Sequence, residues 1–179
     1  YFYMIVLFCV YTCCAVLLLP FVKIYTAEVG DGVQYVRQNI AFLFVILGLM
    51  QNIRIPSLTM ICAAGHFKET QSRAILEAVI NIVVSLALIK PLGMAGILMG
   101  TIVSYSYRSL DCIFYNNKYL VNDSIKMSLR RIARNVAVSL ATVVAVHKFV
   151  RPDPSNLLGW LVWAVVTAVI SGIVIVGVN

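Results

Sequence analysis

The residues best suited to chemistry in this sequence are two charges, Arg54 and Glu77, that lie inside long apolar runs. Arg54 occurs in "GLMQNIRIPSL" beside Gln51 and Asn52, and Glu77 occurs in "RAILEAVINIVVSL", one helical turn before Asn81. A guanidinium can bind a carboxylate or a phosphate through two parallel hydrogen bonds. A carboxylate accepts hydrogen bonds when ionised and donates one when protonated. These five polar side chains are therefore the first candidates for a binding site.

The apolar runs around these charges define the class of protein. Hydrophobic residues make up 61% of the sequence and charged residues 12%. The charges gather in short clusters between long uncharged runs, which is typical of a chain solvated by lipid. The runs do not alternate between apolar and polar residues, as the strands of a transmembrane barrel would. We therefore predict an all-α integral membrane protein.

Counting residues between the charges predicts six transmembrane helices, because a hydrocarbon core of about 30 Å requires about 20 residues of helix. Their approximate ranges are 1–22, 38–64, 73–89, 91–107, 132–147 and 156–178. The third and fourth form an antiparallel hairpin around "KPLG", a tight turn in which Lys90 ends one helix and Pro91 begins the next. We interpret the first run as a span rather than a signal peptide, and the chain as part of a longer protein.

The positions of Lys and Arg predict the orientation, because cytoplasmic loops retain basic residues. Eight basic residues share one side if the segments around "GHFKETQSR" and "YRSLDCIFYNNKYLVNDSIKMSLRRIAR" are both cytoplasmic, and five lie on the other side. The net charge of +7 then reflects attraction to anionic lipid headgroups, and nucleic acid is not an expected partner. Within the second segment, Asp111 and Asp123 are predicted to be solvated loop acids.

The cysteines do not indicate metal or redox chemistry. Four of the five lie in apolar spans, where thiols behave as small hydrophobic groups. Neither a spaced Cys/His set nor a nucleophile elbow or phosphate loop occurs in the sequence. We therefore expect no metal site, no cofactor and no enzymatic activity.

Arg54 and Glu77 are predicted to lie at similar depths in the membrane. At 1.5 Å per residue, Arg54 is about 4 Å and Glu77 about 7 Å to the cytoplasmic side of the centre. In one interpretation the two charges neutralise each other and join neighbouring helices; in the other they line a solvated cavity where Arg54 binds an anionic substrate. Pro56 removes a backbone hydrogen bond near Gln51 and Asn52, which would kink this helix toward a cavity.

Helical spacing groups further side chains onto common faces. One set of residues four apart is predicted to form a polar seam facing other helices or water: Arg73, Glu77, Asn81 and Ser85. A second set with the same spacing predicts close helix packing: Gly96, Gly100 and Ser104. Tyr105 and Tyr107 are predicted to anchor the fourth span at the membrane interface.

Two stretches of the sequence resemble a known family. They are "PFVKIYTAEVGDGVQYVRQ" and "NIRIPSLTMICAAGHFKETQSRAILEAVINIVVSLALIKPLGMAGILMGTIVSYSYRSLD". Both resemble the carboxyl-terminal half of bacterial polysaccharide flippases, which export O-antigen, capsule or teichoic-acid-type repeat units within the multidrug/oligosaccharidyl-lipid/polysaccharide exporter superfamily. The resemblance covers roughly residues 15–118, and the last two spans share only hydropathy and order with the family.

The resemblance implies that residues 1–179 form the carboxyl-terminal lobe, a six-helix bundle, of a two-lobed MATE-like transporter in the bacterial cytoplasmic membrane. The amino-terminal lobe would be absent from this sequence. Such a transporter moves a polyprenyl-diphosphate-linked glycan across the membrane by alternating access. Arg54 would be a cation of the central cavity, with four polar groups beside it: Gln51, Asn52, Glu77 and Asn81. The cytoplasmic mouth would be formed by His66, Lys68, Glu69 and Arg73.

A sodium or proton gradient could drive such transport, with Glu77 as the candidate coupling residue. The implied partners are the lipid-linked glycan, membrane lipids, an amino-terminal lobe of the same protein, a polysaccharide polymerase and glycosyltransferases. Two alternatives stay open. The first is a multidrug or peptidoglycan-precursor exporter of the same superfamily, although a drug exporter should present acids to its cationic substrates. The second is a non-transporting scaffold or a lobe of a membrane transferase, which should show clustered acids or histidines.

Overall fold

The computed structural model describes residues 2–27, 37–121, 124–149 and 157–178, and these residues form helices joined by short turns, with no strand among them. The helices are α1 (Phe2–Tyr25), α2 (Gln38–Ile53), α3 (Ile55–Ala63), α4 (Phe67–Leu92), α5 (Met94–Asn116), α6 (Ile125–Phe149) and α7 (Leu157–Val178), and a π-helical turn (Asn117–Val121) follows α5. The all-α prediction is therefore confirmed for the described part of the chain. Asp123 lies outside the described residues.

Within the described ranges, four helical segments are long and apolar enough to cross a membrane: α1, α2 and α3 taken together, α4, and α7. Most of α4 is exposed, and its exposed face carries large apolar side chains such as Ile82 and Leu86. An apolar surface of this extent is suited to lipid rather than water. The other two long helices, α5 and α6, are not among these segments, so the count of six spans stays a prediction.

The helices extend beyond the predicted spans at several ends. The sequence-based count stopped each span at a charge, whereas α5 continues past Arg108 to Asn116, and α6 begins at Ile125. A backbone can stay helical after it leaves the apolar layer, because its hydrogen bonds are satisfied within the helix itself. Most of the described segment between the predicted fourth and fifth spans, whose acids were predicted to lie in a loop, is therefore helical.

The turn between α4 and α5 also differs from the prediction. Pro91 does not begin the second helix; it lies in the last turn of α4, and the chain breaks at Gly93. Gly93 has a φ of 55°, in a region that glycine adopts without the steric cost of a side chain. Contacts of Leu88 with Gly96 and of Arg73 with Asp111 show that α4 and α5 run antiparallel, as the sequence predicted.

Two further breaks position residues of interest. Arg54 lies in a one-residue interruption between α2 and α3, where Pro56 occupies the first turn of the new helix. A Schellman motif ends α3, because the His66 amide donates to the Ile61 carbonyl (3.2 Å) and the Gly65 amide donates to the Cys62 carbonyl (3.0 Å). The φ of 75° at Gly65 allows this motif, which sets the direction in which α4 departs.

The chain divides into two compact units. We call residues 46–131 the hairpin unit, since α4 and α5 form its centre, and residues 1–45 with 132–179 the terminal unit. In the terminal unit α1 packs against α7, where Phe8 and Ile175 are fully buried. The indole Nε1 of Trp160 on α7 donates to the Leu17 carbonyl on α1 at 3.1 Å. In the hairpin unit Ile61, Cys112 and Tyr115 form a buried apolar cluster.

Candidate functional site

Five charged side chains of the hairpin unit form a continuous charge network. Arg54 Nη1 donates to Glu77 Oε1. Arg108 connects the two acids, since its Nε lies 3.7 Å from Glu77 Oε2 and its Nη1 donates to Asp111 Oδ2 at 2.9 Å. Arg73 Nη1 completes the network by donating to Asp111 Oδ1 at 2.6 Å. Three guanidinium groups thus share two carboxylates.

Three different elements supply the residues of this network. Two of the elements, α4 and α5, each supply a pair of charged residues, and the helical repeat places the members of each pair on the same face of their helix. Arg54 comes from the break between α2 and α3. Arg73 and Glu77 are four residues apart on α4, and Arg108 and Asp111 are three apart on α5, so each pair lies on one helical face. The hairpin at Gly93 brings these two faces together.

The network is partly buried and has an excess of positive charge. The side chain of Arg108 is 6% exposed, those of Arg54 and Glu77 are 17% exposed, and that of Arg73 is 33% exposed. Electrostatic interactions are stronger in such surroundings than in water, because the effective dielectric constant is lower. Counting the described side chains, three cations face two anions. This excess of one positive charge favours binding of an anionic group.

Aromatic rings lie against two of the guanidinium groups. The Arg54 guanidinium lies 4.5 Å from the ring centroid of Tyr105, and that of Arg73 lies 5.1 Å from the ring of Tyr115. Such contacts stabilise a cation without neutralising its charge. Tyr105, which the sequence assigned to the membrane interface as an anchor, thus packs against the charge network.

Neutral polar contacts continue the predicted seam along α4. The Ser85 hydroxyl donates to Asn81 Oδ1 at 3.1 Å, and the Thr101 hydroxyl of α5 lies 3.5 Å from the same oxygen. The seam therefore faces α5. Asn81 lies one turn beyond Glu77 and contacts α5 through Thr101.

The glycines of α5 allow its close approach to α4. A Cβ atom at Gly96 would meet the Leu88 carbonyl, and one at Gly100 would lie 2.7 Å from the Ser85 amide nitrogen. Ser104, the third member of this set, is fully buried and donates to the Thr101 carbonyl at 2.9 Å. The three predicted packing residues thus lie on a buried face of α5.

The amides predicted beside Arg54 have other local contacts. Asn52 Nδ2 donates to the Gly48 carbonyl at 2.9 Å, one turn back on its own helix, and Gln51 is exposed. The Ser109 hydroxyl of α5 donates to the Met50 carbonyl at 3.0 Å. This last bond fixes the end of α2 beside α5, close to the break that presents Arg54.

The four residues predicted to form a cytoplasmic mouth do not share one environment, because two of them are bonded to other side chains and two are exposed. His66 Nδ1 shares a 2.9 Å hydrogen bond with the Tyr115 hydroxyl, and Arg73 belongs to the charge network. Lys68 and Glu69 are exposed on the first turn of α4. Burial raises the pKa of the Tyr115 phenol, and Glu69 adds to the rise. The phenol therefore stays protonated at neutral pH and can donate to His66.

Sequence reasoning overlooked Arg108 and Asp111 as members of the site. Asp111 was predicted to be a solvated loop acid, and this was wrong: it lies within α5 and contacts two arginines. A carboxylate usually remains in water because burying an unpaired charge is costly, and the two arginines that contact Asp111 reduce that cost. The three-residue spacing of Arg108 and Asp111 was the available signal, because opposite charges at this spacing stabilise a continuing helix.

The cysteines make no metal-binding group among the described residues. Cys112 is fully buried in the apolar cluster of the hairpin unit. Cys9 and Cys13 each lie within 3.3 Å of the Ser171 hydroxyl in the terminal unit. Cys14 and Cys62 are exposed free thiols. The thiols of Cys9 and Cys13 therefore act as weak polar contacts between α1 and α7.

The helices and the charge network together define an all-α chain with segments suited to a membrane and a partly buried, arginine-rich polar site. No protein-family model, curated protein or solved structure matches this chain. The chemistry of the charge network is therefore the main guide to function.

Proposed function

We propose that this chain is the carboxyl-terminal transmembrane lobe of a MATE-like flippase. Its task would be to move polyprenyl-diphosphate-linked glycan repeat units across the bacterial cytoplasmic membrane by alternating access. The observation that carries the proposal is the charge network, in which three arginines share two carboxylates. The resemblance of residues 15–118 to polysaccharide flippases supports the same function.

The network suits a diphosphate because guanidinium groups bind phosphate oxygens with charge-assisted, paired hydrogen bonds. Arg54 lies at a helix break and is partly exposed, so its side chain can exchange one oxygen partner for another. In the state described here its partner is Glu77. In a substrate-bound state a phosphate oxygen would replace that carboxylate as the partner of Arg54. The positive charge of Arg108 would still balance the negative charge of Glu77.

The arrangement also suits the remainder of such a substrate. Sugars and phosphates need a polar path, whereas a polyprenyl tail can remain in the bilayer beside apolar helices. No covalent bond changes in this process, so no catalytic residue is required. A sodium or proton gradient would supply the energy. Glu77 is the local candidate for coupling, because a cation or proton on its carboxylate would loosen its hold on Arg54.

A non-transporting membrane scaffold is the second candidate, and one observation favours it. Each arginine of the charge network contacts a carboxylate, as a purely structural clasp between helices would require. A multidrug exporter for cations fits less well, because each acid of the network already contacts two arginines. A peptidoglycan-precursor exporter would use the same phosphate chemistry and differs only in the glycan.

Glycan export in cells that depend on this protein tests the proposal. The variants are Arg54→Ala, Glu77→Gln and the charge swap Arg54→Glu with Glu77→Arg, compared at equal membrane abundance. We expect Arg54→Ala to abolish export, and the swap to leave it abolished, because the substrate needs a cation at position 54. Lys90→Ala, which removes an exposed cation outside the network, serves as the control and should export normally.

Rescue of export by the charge swap would overturn the role of Arg54 in substrate binding. Such a result would mean that the two residues act only as a clasp between the α2–α3 break and α4. Normal export by Arg54→Ala would contradict the proposal still more directly.

A further inference from the structure

A second feature of the hairpin unit lies apart from the contacts of Arg54 and Glu77. An apolar groove of about 320 Å³ lies between the end of α5 and the start of α6. Leu110 and Phe114 line it from α5, and Ile125 and Leu129 line it from α6. Leu110, Phe114 and Leu129 are all exposed despite their size. The groove is thus an apolar surface that the described helices do not cover.

The start of α6 is held in place beside this groove. Asn117 Nδ2, in the turn that follows α5, donates to the Ser128 hydroxyl on α6 at 3.0 Å. Asn117 is itself buried. This bond connects the two walls of the groove through a short turn, so the groove is a feature of the folded unit.

Three exposed cations adjoin residues that line the groove. Lys118 Nζ lies 5.7 Å from the ring centroid of Phe114. Lys126 and Arg130 directly follow the lining residues Ile125 and Leu129, and their four-residue spacing puts them on one face of α6. All three side chains are exposed. The edge of the groove is therefore positively charged.

Asp111, the one acid among the described residues that line the groove, does not cancel this charge. Asp111 contributes to the groove wall, but its two carboxylate oxygens bind Arg73 and Arg108. Its negative charge is compensated there. An anion at the edge of the groove would therefore meet Lys118, Lys126 and Arg130 without strong repulsion from below.

We propose that this groove and its three cations form a binding site for one anionic phospholipid. An acyl chain would lie in the groove against Leu110, Phe114 and Leu129, and the phosphate would contact the cations at the edge. Charge complementarity selects this occupant over a neutral lipid, because each basic residue near a membrane surface attracts anionic lipid. The groove also lies in the segment that is predicted to be cytoplasmic from the distribution of basic residues.

Native mass spectrometry of the purified chain can test this site. The protein is equilibrated in detergent with equal amounts of phosphatidylglycerol and phosphatidylcholine, and the retained lipids are counted. We expect phosphatidylglycerol to be preferred. The triple variant Lys118→Gln, Lys126→Gln, Arg130→Gln should reduce that preference by roughly tenfold or more, because three attractive charges are lost. The variant Ile125→Trp, which fills the groove, should reduce retention of phosphatidylglycerol.

A control variant that loses the same number of charges distinguishes binding at this groove from nonspecific attraction of anionic lipid to basic residues. The variant Lys68→Gln, Lys90→Gln, Lys148→Gln loses three exposed cations elsewhere on the chain and should keep the wild-type preference. An equal loss in both triple variants, or no loss in the first, would overturn the proposal. Competition distinguishes the two sources of phosphate: dihexanoyl phosphatidylglycerol should displace the bound lipid, and displacement by inorganic phosphate at the same concentration would contradict a lipid site.

These outcomes do not depend on the proposed transport function. Loss of lipid preference concerns Lys118, Lys126 and Arg130, whereas transport depends on Arg54. Export that fails in Arg54→Ala while lipid preference is retained, or the reverse, would establish one proposal without the other.

Discussion

Among the described contacts, different kinds of polar group join α1 to α7 in the terminal unit and α4 to α5 in the hairpin unit. In the terminal unit, α1 and α7 meet through neutral groups, with the thiols of Cys9 and Cys13 near the Ser171 hydroxyl. In the hairpin unit, α4 and α5 meet through the charge network as well as neutral groups. Neutral contacts are sufficient to join membrane helices. The charges of the hairpin unit therefore exceed what packing requires, which is the main reason for assigning them a function.

The largest expected effect is on the free energy of unfolding. Removing a charge from the hairpin unit should lower it much more than removing a hydroxyl from the terminal unit. Glu77→Ala should lower the free energy of unfolding by about 3 kcal/mol, because Arg54 and Arg108 lose a shared partner in partly buried surroundings. Ser171→Ala should cost less than about 1 kcal/mol, the usual value of a neutral contact between membrane helices. Denaturation in mixed detergent micelles, followed by circular dichroism, measures both.

Glu69→Ala is the matched control for this comparison, since it removes an exposed carboxylate from the same helix. Its effect should remain within about 0.5 kcal/mol. Equal costs for Glu77→Ala and Ser171→Ala would remove the distinction between the two units.

Substituting a glycine by alanine should change the free energy of unfolding by a smaller amount. The change should be a decrease in the hairpin unit and an increase in the terminal unit. Gly100→Ala should lower the free energy of unfolding by about 2 kcal/mol, because the new methyl group would overlap the backbone and hydroxyl of Ser85. Gly172→Ala in α7 meets nothing within 4 Å. It should raise the free energy of unfolding by up to about 1 kcal/mol, since alanine favours the helix. The same denaturation experiment applies, and an unchanged free energy of unfolding in Gly100→Ala would refute the close approach of α4 and α5.

Much of the fold could be predicted from the sequence, because apolar runs bounded by charges identify helices well. The α4–α5 hairpin was predicted from the short "KPLG" interruption, although the break lies at Gly93 rather than Pro91. A proline in the last turn of a helix does not force an end when the glycine that follows it can reverse the chain.

The candidate site could be predicted in part. Depth along two antiparallel spans placed Arg54 and Glu77 at similar levels, and the structure brings them into contact. Arg108 and Asp111 could not be found in this way, because counting apolar residues treats each charge as the end of a span. Their pairing depends on the tertiary arrangement of α4 and α5, in which Asp111 meets Arg73 from a distant part of the chain.

Binding of a prenyl diphosphate to the purified chain tests the central claim most directly. The chain is reconstituted in nanodiscs of neutral lipid and titrated with farnesyl diphosphate, with farnesol as the uncharged comparison. Arg54→Gln should weaken diphosphate binding by about tenfold, the value of one charge-assisted hydrogen bond. Glu77→Gln should strengthen it, because Arg54 loses its competing carboxylate, and Lys90→Gln should leave it unchanged. Equal affinity for the diphosphate in wild type and Arg54→Gln would contradict the claim that the charge network binds phosphate.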